Sequence, residues 1–159
     1  MAADARPGEV ALPFDPADRT EAGVTFIGRA RTPWGPGRCP KNLTEARAEG
    51  GPFLLEIDEA YRPGLTGLVP GDALVILLWF AQARRDLILQ APRHRPEPRG
   101  TFALRSPVRP NPIGLEIVHI LTLDPDAGRI AVDALDAFDG TPILDIKPWI
   151  AAIDIPGGA

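Results

Sequence analysis

The stretch Arg105-Ser-Pro-Val-Arg-Pro-Asn-Pro-Ile-Gly-Leu115 decides how the rest of the chain is read. Pro107, Pro110 and Pro112 each fix their own φ, and each pushes the residue before it (Ser106, Arg109, Asn111) toward extended backbone. A helix is excluded. A central strand is excluded too, because the prolines lack the N–H donors that a ladder needs. The segment therefore reads as a stiff, extended loop whose shape is largely set before anything binds. Carrying Arg105, Arg109 and Asn111, it suits holding donors around a polar or anionic ligand at little entropic cost. The same residues also suit a proline-rich connector that turns a corner, and both readings stand at this point. Strand-like sequence flanks the loop, at 101–104 before it and at 115–123 after it.

Toward the C-terminus, Asp124-Pro-Asp-Ala-Gly128 has the chemistry of a hairpin turn between strands at 115–123 and 129–135. Residues 142–150 read as extended. Toward the N-terminus, 91–100 is a basic, proline-rich loop, and 83–89 reads as an edge strand. Residues 73–80 show no polar face, so they read as a strand buried on both sides. Two more strands are expected at 24–30 and 53–57, with a loop at 32–42. Helical turns are expected at 43–49, stopped by Gly50-Gly51, and a short helix at 58–61, ended by Pro63-Gly64. Residues 1–22 have no apolar periodicity and read as a mobile extension, leaving 23–159 as one domain. Many short strands and few helical periods point to a mainly β fold, a single-domain small β-barrel with short helices.

Composition narrows the function classes. The formal charge of −4 gives no general attraction to polyanions, so any RNA contact must come from a local basic patch. A single cysteine, Cys39, excludes an internal disulfide and fits a reducing compartment. The N-terminal Asp4, Arg6 and Glu9 do not read as a secretory signal. The apolar run 73–81 is too short to span a bilayer, so a soluble, cytoplasmic protein is expected. Cys39, His94 and His119 match no zinc spacing, and no metal is expected. Cys39 reads as a small apolar loop residue. His119 alternates against Glu116, Val118 and Ile120 and reads as partly exposed. No glycine-rich strand-to-helix turn exists, which excludes a Rossmann-type nucleotide site.

The loop quoted above, together with Asp136-Ala-Phe-Asp-Gly-Thr-Pro-Ile-Leu-Asp-Ile-Lys-Pro-Trp149, resembles the pair of signatures of the TsaA-like (TrmO) family. The resemblance runs from about Phe26 to Trp149. It implies a β-barrel that binds S-adenosylmethionine and methylates the threonylcarbamoyl-modified adenosine beside the anticodon of tRNA. It also implies a homodimer, with the site where the subunits meet.

By that resemblance the cofactor is lined by Pro40-Lys41-Asn42, where lysine and asparagine stand for the usual arginine and glutamine. Phe80-Ala81 stands for the usual Phe-His, so any role of that histidine is lost. Arg105 opens the proline loop and Leu115 closes it. Asp133, Ala134, Leu135 and Asp136 match the run before the Asp-Gly-Thr-Pro motif. Carboxylates there suit the amino group, sulfonium and ribose hydroxyls of S-adenosylmethionine, although such residues also favour turns. Arg93, Arg95, Arg109 and Asn111 are the expected substrate-binding residues. Some members continue into a further C-terminal domain, which would help grip tRNA. No general base can be named. Two alternatives stay open: a methyltransferase for another, small-molecule substrate, and a non-catalytic β-barrel ligand-binding module.

Overall fold

The computed structural model describes residues 4–157. The first three residues of the expected extension, and the last two of the expected 23–159 domain, lie outside the described residues. Nine strands run in chain order as β1 (Val10–Ala11), β2 (Gly28–Arg31), β3 (Leu54–Ile57), β4 (Ala73–Trp79), β5 (Leu87–Gln90), β6 (Arg99–Gly100), β7 (Ile113–Asp124), β8 (Arg129–Val132) and β9 (Pro142–Pro148). Two short α-helices, α1 (Leu43–Glu49) and α2 (Ala151–Asp154), and three 3-10 turns complete the described residues. The fold is mainly β. By its contacts the described chain gathers into two compact units, residues 25–79 with 115–157, and residues 4–24 with 80–114.

In the larger unit six strands hydrogen-bond in the order β2-β3-β8-β7-β4-β9, and β9 pairs back onto β2 at Gly28 and Ile143, closing the ring. Inward side chains alternate with outward ones along β2, β3, β4, β8 and the middle of β7, as pleating requires. Leu55, Leu74, Ile76, Leu78, Val118 and Ile130 fill the interior and are wholly buried. β4 corrects the expectation of burial on both sides: Leu74, Ile76 and Leu78 are buried, whereas the alternate residues are only half-buried. A strand in a closed ring has one face inside and one outside, however apolar its sequence. β2 begins at Gly28 rather than at Val24, and β8 stops at Val132. The β7–β8 hairpin turns at Gly128 with φ +68°, and the Asp124 carboxylate accepts from the Ala127 backbone N–H.

α1 forms where expected. The Asn42 side chain accepts from the Glu45 backbone N–H at 3.0 Å, and Glu45 in turn accepts from the Lys41 N–H at 2.9 Å. This reciprocal cap satisfies donors that the first helical turn leaves open.

The smaller unit holds a three-stranded sheet in the order β1-β5-β6. β5 is thus its middle strand, correcting the edge-strand reading of 83–89. It acquires its second neighbour from the segment read as a mobile extension, where Val10 pairs with Leu89. Short-range pattern carries no signal for such a two-residue strand. The expected strand at 101–104 is instead a 3-10 turn over Thr101–Ala103. There the buried Thr101 hydroxyl donates to the Leu87 carbonyl and accepts from the Gln90 amide, each at 2.8 Å. Gln90 also donates to the Val108 carbonyl at 2.7 Å, tying the proline loop to β5.

Candidate functional site

The larger unit gathers the loop before α1, the residues after β8 and one end of β7. Trp34, 3% exposed, donates from Nε1 to the Leu135 carbonyl at 2.7 Å. Thr32 donates to the Ala137 carbonyl at 2.8 Å, and the Cys39 thiol donates to the Asp136 carbonyl at 3.1 Å. These bonds hold the backbone of Asp133-Ala-Leu-Asp136 against the loop that ends in Pro40-Lys41-Asn42. Two groups expected from sequence therefore meet. Pro40, Ala134 and Leu135 are buried, Asp133 and Asp136 are half-buried, and Lys41 and Asn42 are exposed. Asn42 already spends its side-chain carbonyl on the helix cap.

Asp133 and Asp136 differ in their surroundings. Asp133 accepts from Arg47 Nε at 2.7 Å and from the His119 backbone N–H at 2.8 Å, with the His119 ring 3.7 Å away. Burial works against its charge, but Arg47 and the His119 amide outweigh that and hold its pKa below the ordinary carboxylate value. Arg47 also donates to the Ile117 carbonyl at 2.9 Å, which fixes α1 to β7. Asp133 is thus largely committed inside the fold. Asp136 instead acts on Glu116, which sequence reading passed over.

Glu116 lies on β7 in phase with Val118 and Ile120 and is 2% exposed. Neither of its carboxyl oxygens has a hydrogen-bond partner among the described residues. Burial pushes its pKa well above the ordinary carboxylate range, and the nearby Asp136 charge pushes the same way. Asp136 stands close enough to perturb the group, yet the approach does not meet hydrogen-bond geometry. The signal that could have found it is a charged residue on the apolar phase of a strand. The same surroundings argue against Cys39 as a nucleophile. Burial first, then Asp136, Glu116 and Glu49, push its thiol up to about 11, which leaves little thiolate at neutral pH.

The remaining expected residues lie in the smaller unit, Leu115 excepted, which is 44% exposed on β7. The Phe80 backbone N–H donates to the Pro112 carbonyl at 2.9 Å, and a side chain at Gly114 would overlap the Phe80 ring. Ala81, Arg93, Arg95, Arg105 and Asn111 are exposed. Arg109 turns back onto the Leu104 and Ser106 carbonyls at 3.1 Å each, so its guanidinium stiffens the proline loop. Arg85 does the same from β5's approach, donating to the Pro110 carbonyl at 2.6 Å. Among the described residues no group of His, Cys, Asp and Glu has the arrangement of a metal site. No helix among the described residues is long and apolar enough to cross a membrane.

The family described as the tRNA-methyltransferase O N-terminal domain matches residues 36–155. The chain belongs to the TrmO family. Among curated TrmO relatives, the probable S-adenosyl-L-methionine-binding protein VirR of Rhizobium radiobacter is 40% identical over 87% of this chain and 75% of its own. A probable S-adenosyl-L-methionine-binding protein of Methanothermobacter thermautotrophicus is 37% identical over 86% of this chain and 96% of its own. Two crystal structures of TrmO from Pseudomonas aeruginosa are similar in fold, with TM-scores of 0.68 and 0.67 at 30% and 29% identity. They are covered over 60% and 61% of their length, so this chain spans about three fifths of the solved TrmO chains.

Proposed function

We propose that the protein is an S-adenosylmethionine-dependent methyltransferase. The observation that carries this reading is the acidic, partly buried cluster around Asp136 and Glu116, in a chain of the TrmO family whose relatives are named for binding that cofactor. Its chemistry suits a ligand that brings positive charge and hydroxyl donors. Asp136 would accept from those donors, and Pro40, Ala134 and Leu135 would supply apolar and backbone surface. Phe80, Ala81, Arg105 and Leu115 are proposed as further cofactor residues on the resemblance alone. When bound, the cofactor supplies an electrophilic methyl group. The protein's own task is then to align the acceptor and exclude water. Calorimetry with S-adenosylmethionine should show saturable binding. Absence of heat, and of any thermal shift at saturating cofactor, would remove the proposal.

For the acceptor we propose the threonylcarbamoyl-modified adenosine of tRNA, with the ring of strands as a small β-barrel and the protein in the cytoplasm. Arg93, Arg95 and Arg99 are exposed in the smaller unit and supply the local basic charge that a chain of net charge −4 otherwise lacks. Replacing all three with alanine should weaken tRNA binding and flatten its log–log salt slope by about 0.7 to 0.9 for each phosphate that is no longer neutralised. Cofactor affinity should be unchanged. If the triple variant bound and methylated tRNA like the parent at every salt concentration, a small-molecule acceptor would become the better reading. Ala81, where the family has histidine, already leans that way.

A homodimer is proposed as well. Leu115, Ile117 and Leu121 are 44%, 37% and 56% exposed along the outer side of β7, and with the exposed His119 between them they form a largely apolar row that a second copy would cover. A single-chain mass by light scattering, with and without cofactor, would sink this assembly.

A further inference from the structure

We infer that Glu116 is itself a ligand-binding carboxyl of this site: it and Asp136 together accept a donor group of the bound molecule, and Glu116 gives up its proton as that molecule binds. The inference rests on the cofactor reading above and adds to it a residue and a proton linkage. Three observations carry it. Glu116 is 2% exposed on the buried phase of β7, a position that otherwise takes Val118 and Ile120. Both of its oxygens lack a hydrogen-bond partner among the described residues. A buried orphan acceptor is destabilising unless something completes it. Its main charged neighbour is Asp136, a half-buried member of the same cluster rather than a cation.

The groups that face it are few. From the residues after β8 comes Asp136, from α1 comes Arg47, and from the loop before α1 comes Cys39, whose thiol feels both Glu116 and Asp136. Arg47 is occupied by Asp133 and the Ile117 carbonyl, so it offsets the acidic pair only in part. Burial first, and then the nearby Asp136 charge, favour the neutral form of Glu116, so Glu116 keeps its proton in the protein alone. A ligand donor carrying positive charge reverses that preference. The carboxyl then ionises, and its proton passes to solvent.

The sign in the protein alone follows from the raised pKa. The folded chain holds the Glu116 proton more tightly than the unfolded chain, so its stabilising contribution is full below the ordinary value of 4.5. It is lost as pH rises from there toward the folded value. Asp133 and Asp86, with lowered values, act at pH below that range, and Cys39 acts only above 9.0. Glu116→Gln and the volume-matched Glu116→Met should both abolish the loss of thermal stability with rising pH. Agreement between the two variants shows that the fold survives.

The test is calorimetry of S-adenosylmethionine binding in buffers of different ionisation enthalpy. The parent should release a fraction of a proton, up to about one per site, and its affinity should rise with pH. Glu116→Gln should lose that release and that pH dependence, and bind roughly tenfold or more weakly. A parent that binds cofactor but releases the same protons as Glu116→Gln overturns this inference alone. A parent that binds no cofactor overturns the proposed function and this inference with it.

Discussion

Gly28→Ala is expected to cost the larger unit about 3 kcal/mol, the upper end for an overpacked interior. A methyl group built on Gly28 would overlap the Glu56 carbonyl oxygen and press on the Ile57 backbone. Those are backbone atoms of the paired strand, so no side chain can swing aside to make room. Gly28 also faces Ile57 on β3 and Ile143 on β9, its partners on the two neighbouring strands, the second of which closes the ring. Relief would require β2 to move away from β3 and so to lengthen several ladder hydrogen bonds together. At this chain length the cost corresponds to a fall in Tm of roughly 6 to 12 °C. Gly35→Ala is the control, because a methyl there meets nothing within 4 Å. It should stay within about 0.5 kcal/mol of the parent. Equal Tm values for the two variants, by circular dichroism, would show that the β2–β3 approach is not tight.

Much of this was legible because it depends on neighbours in sequence. The prolines before and inside 105–112 dictate a loop whatever surrounds them, and the structure keeps that stretch free of helix. Gly50 ends α1 in a positive-φ conformation that favours glycine, with φ +69°. Asp124 and Gly128 set the β7–β8 turn. What could not be read depends on distant partners. Thr101–Ala103 has strand-like residues, yet it curls because Gln90 and Leu87 offer its hydroxyl two partners. Val10 and Ala11 become a strand only because β5 has an open side.

The candidate site divides along the same line. Asp133 and Asp136 were named from their place at a strand exit and from a family signature. Their opposite situations come from Arg47 and Glu116, which lie far away in sequence. Arg109, expected to face a ligand, is turned inward by carbonyls that the loop's own prolines leave without intra-loop donors. Glu116 itself was visible as an acid on an apolar phase. Pattern alone cannot say whether such a residue is paired.

Trp34 links stability to the site, and its substitutions should separate the two. Trp34→Ala removes a side chain that is 3% exposed and tilted against Phe53 at 5.9 Å between ring centroids. Such a truncation is expected to cost about 3 to 5 kcal/mol, a large share of the stability of a typical domain. Trp34→Phe keeps most of the buried surface but deletes the Nε1 donor. The Leu135 carbonyl, held at 2.7 Å in the parent, then loses its partner in a residue that is wholly buried. An orphaned buried acceptor costs about 1 to 3 kcal/mol, so the variant should fold with a lower Tm. Its larger consequence is local. Leu135 sits between Ala134 and Asp136, and a carbonyl free to turn takes the Asp136 backbone with it. S-adenosylmethionine affinity should therefore fall in Trp34→Phe by more than its stability loss implies, at a temperature where the variant is fully folded. Calorimetry on the folded variant reads this directly. Unchanged affinity beside a lowered Tm would mean that Trp34 serves the core alone and that 133–136 needs no such tether to bind.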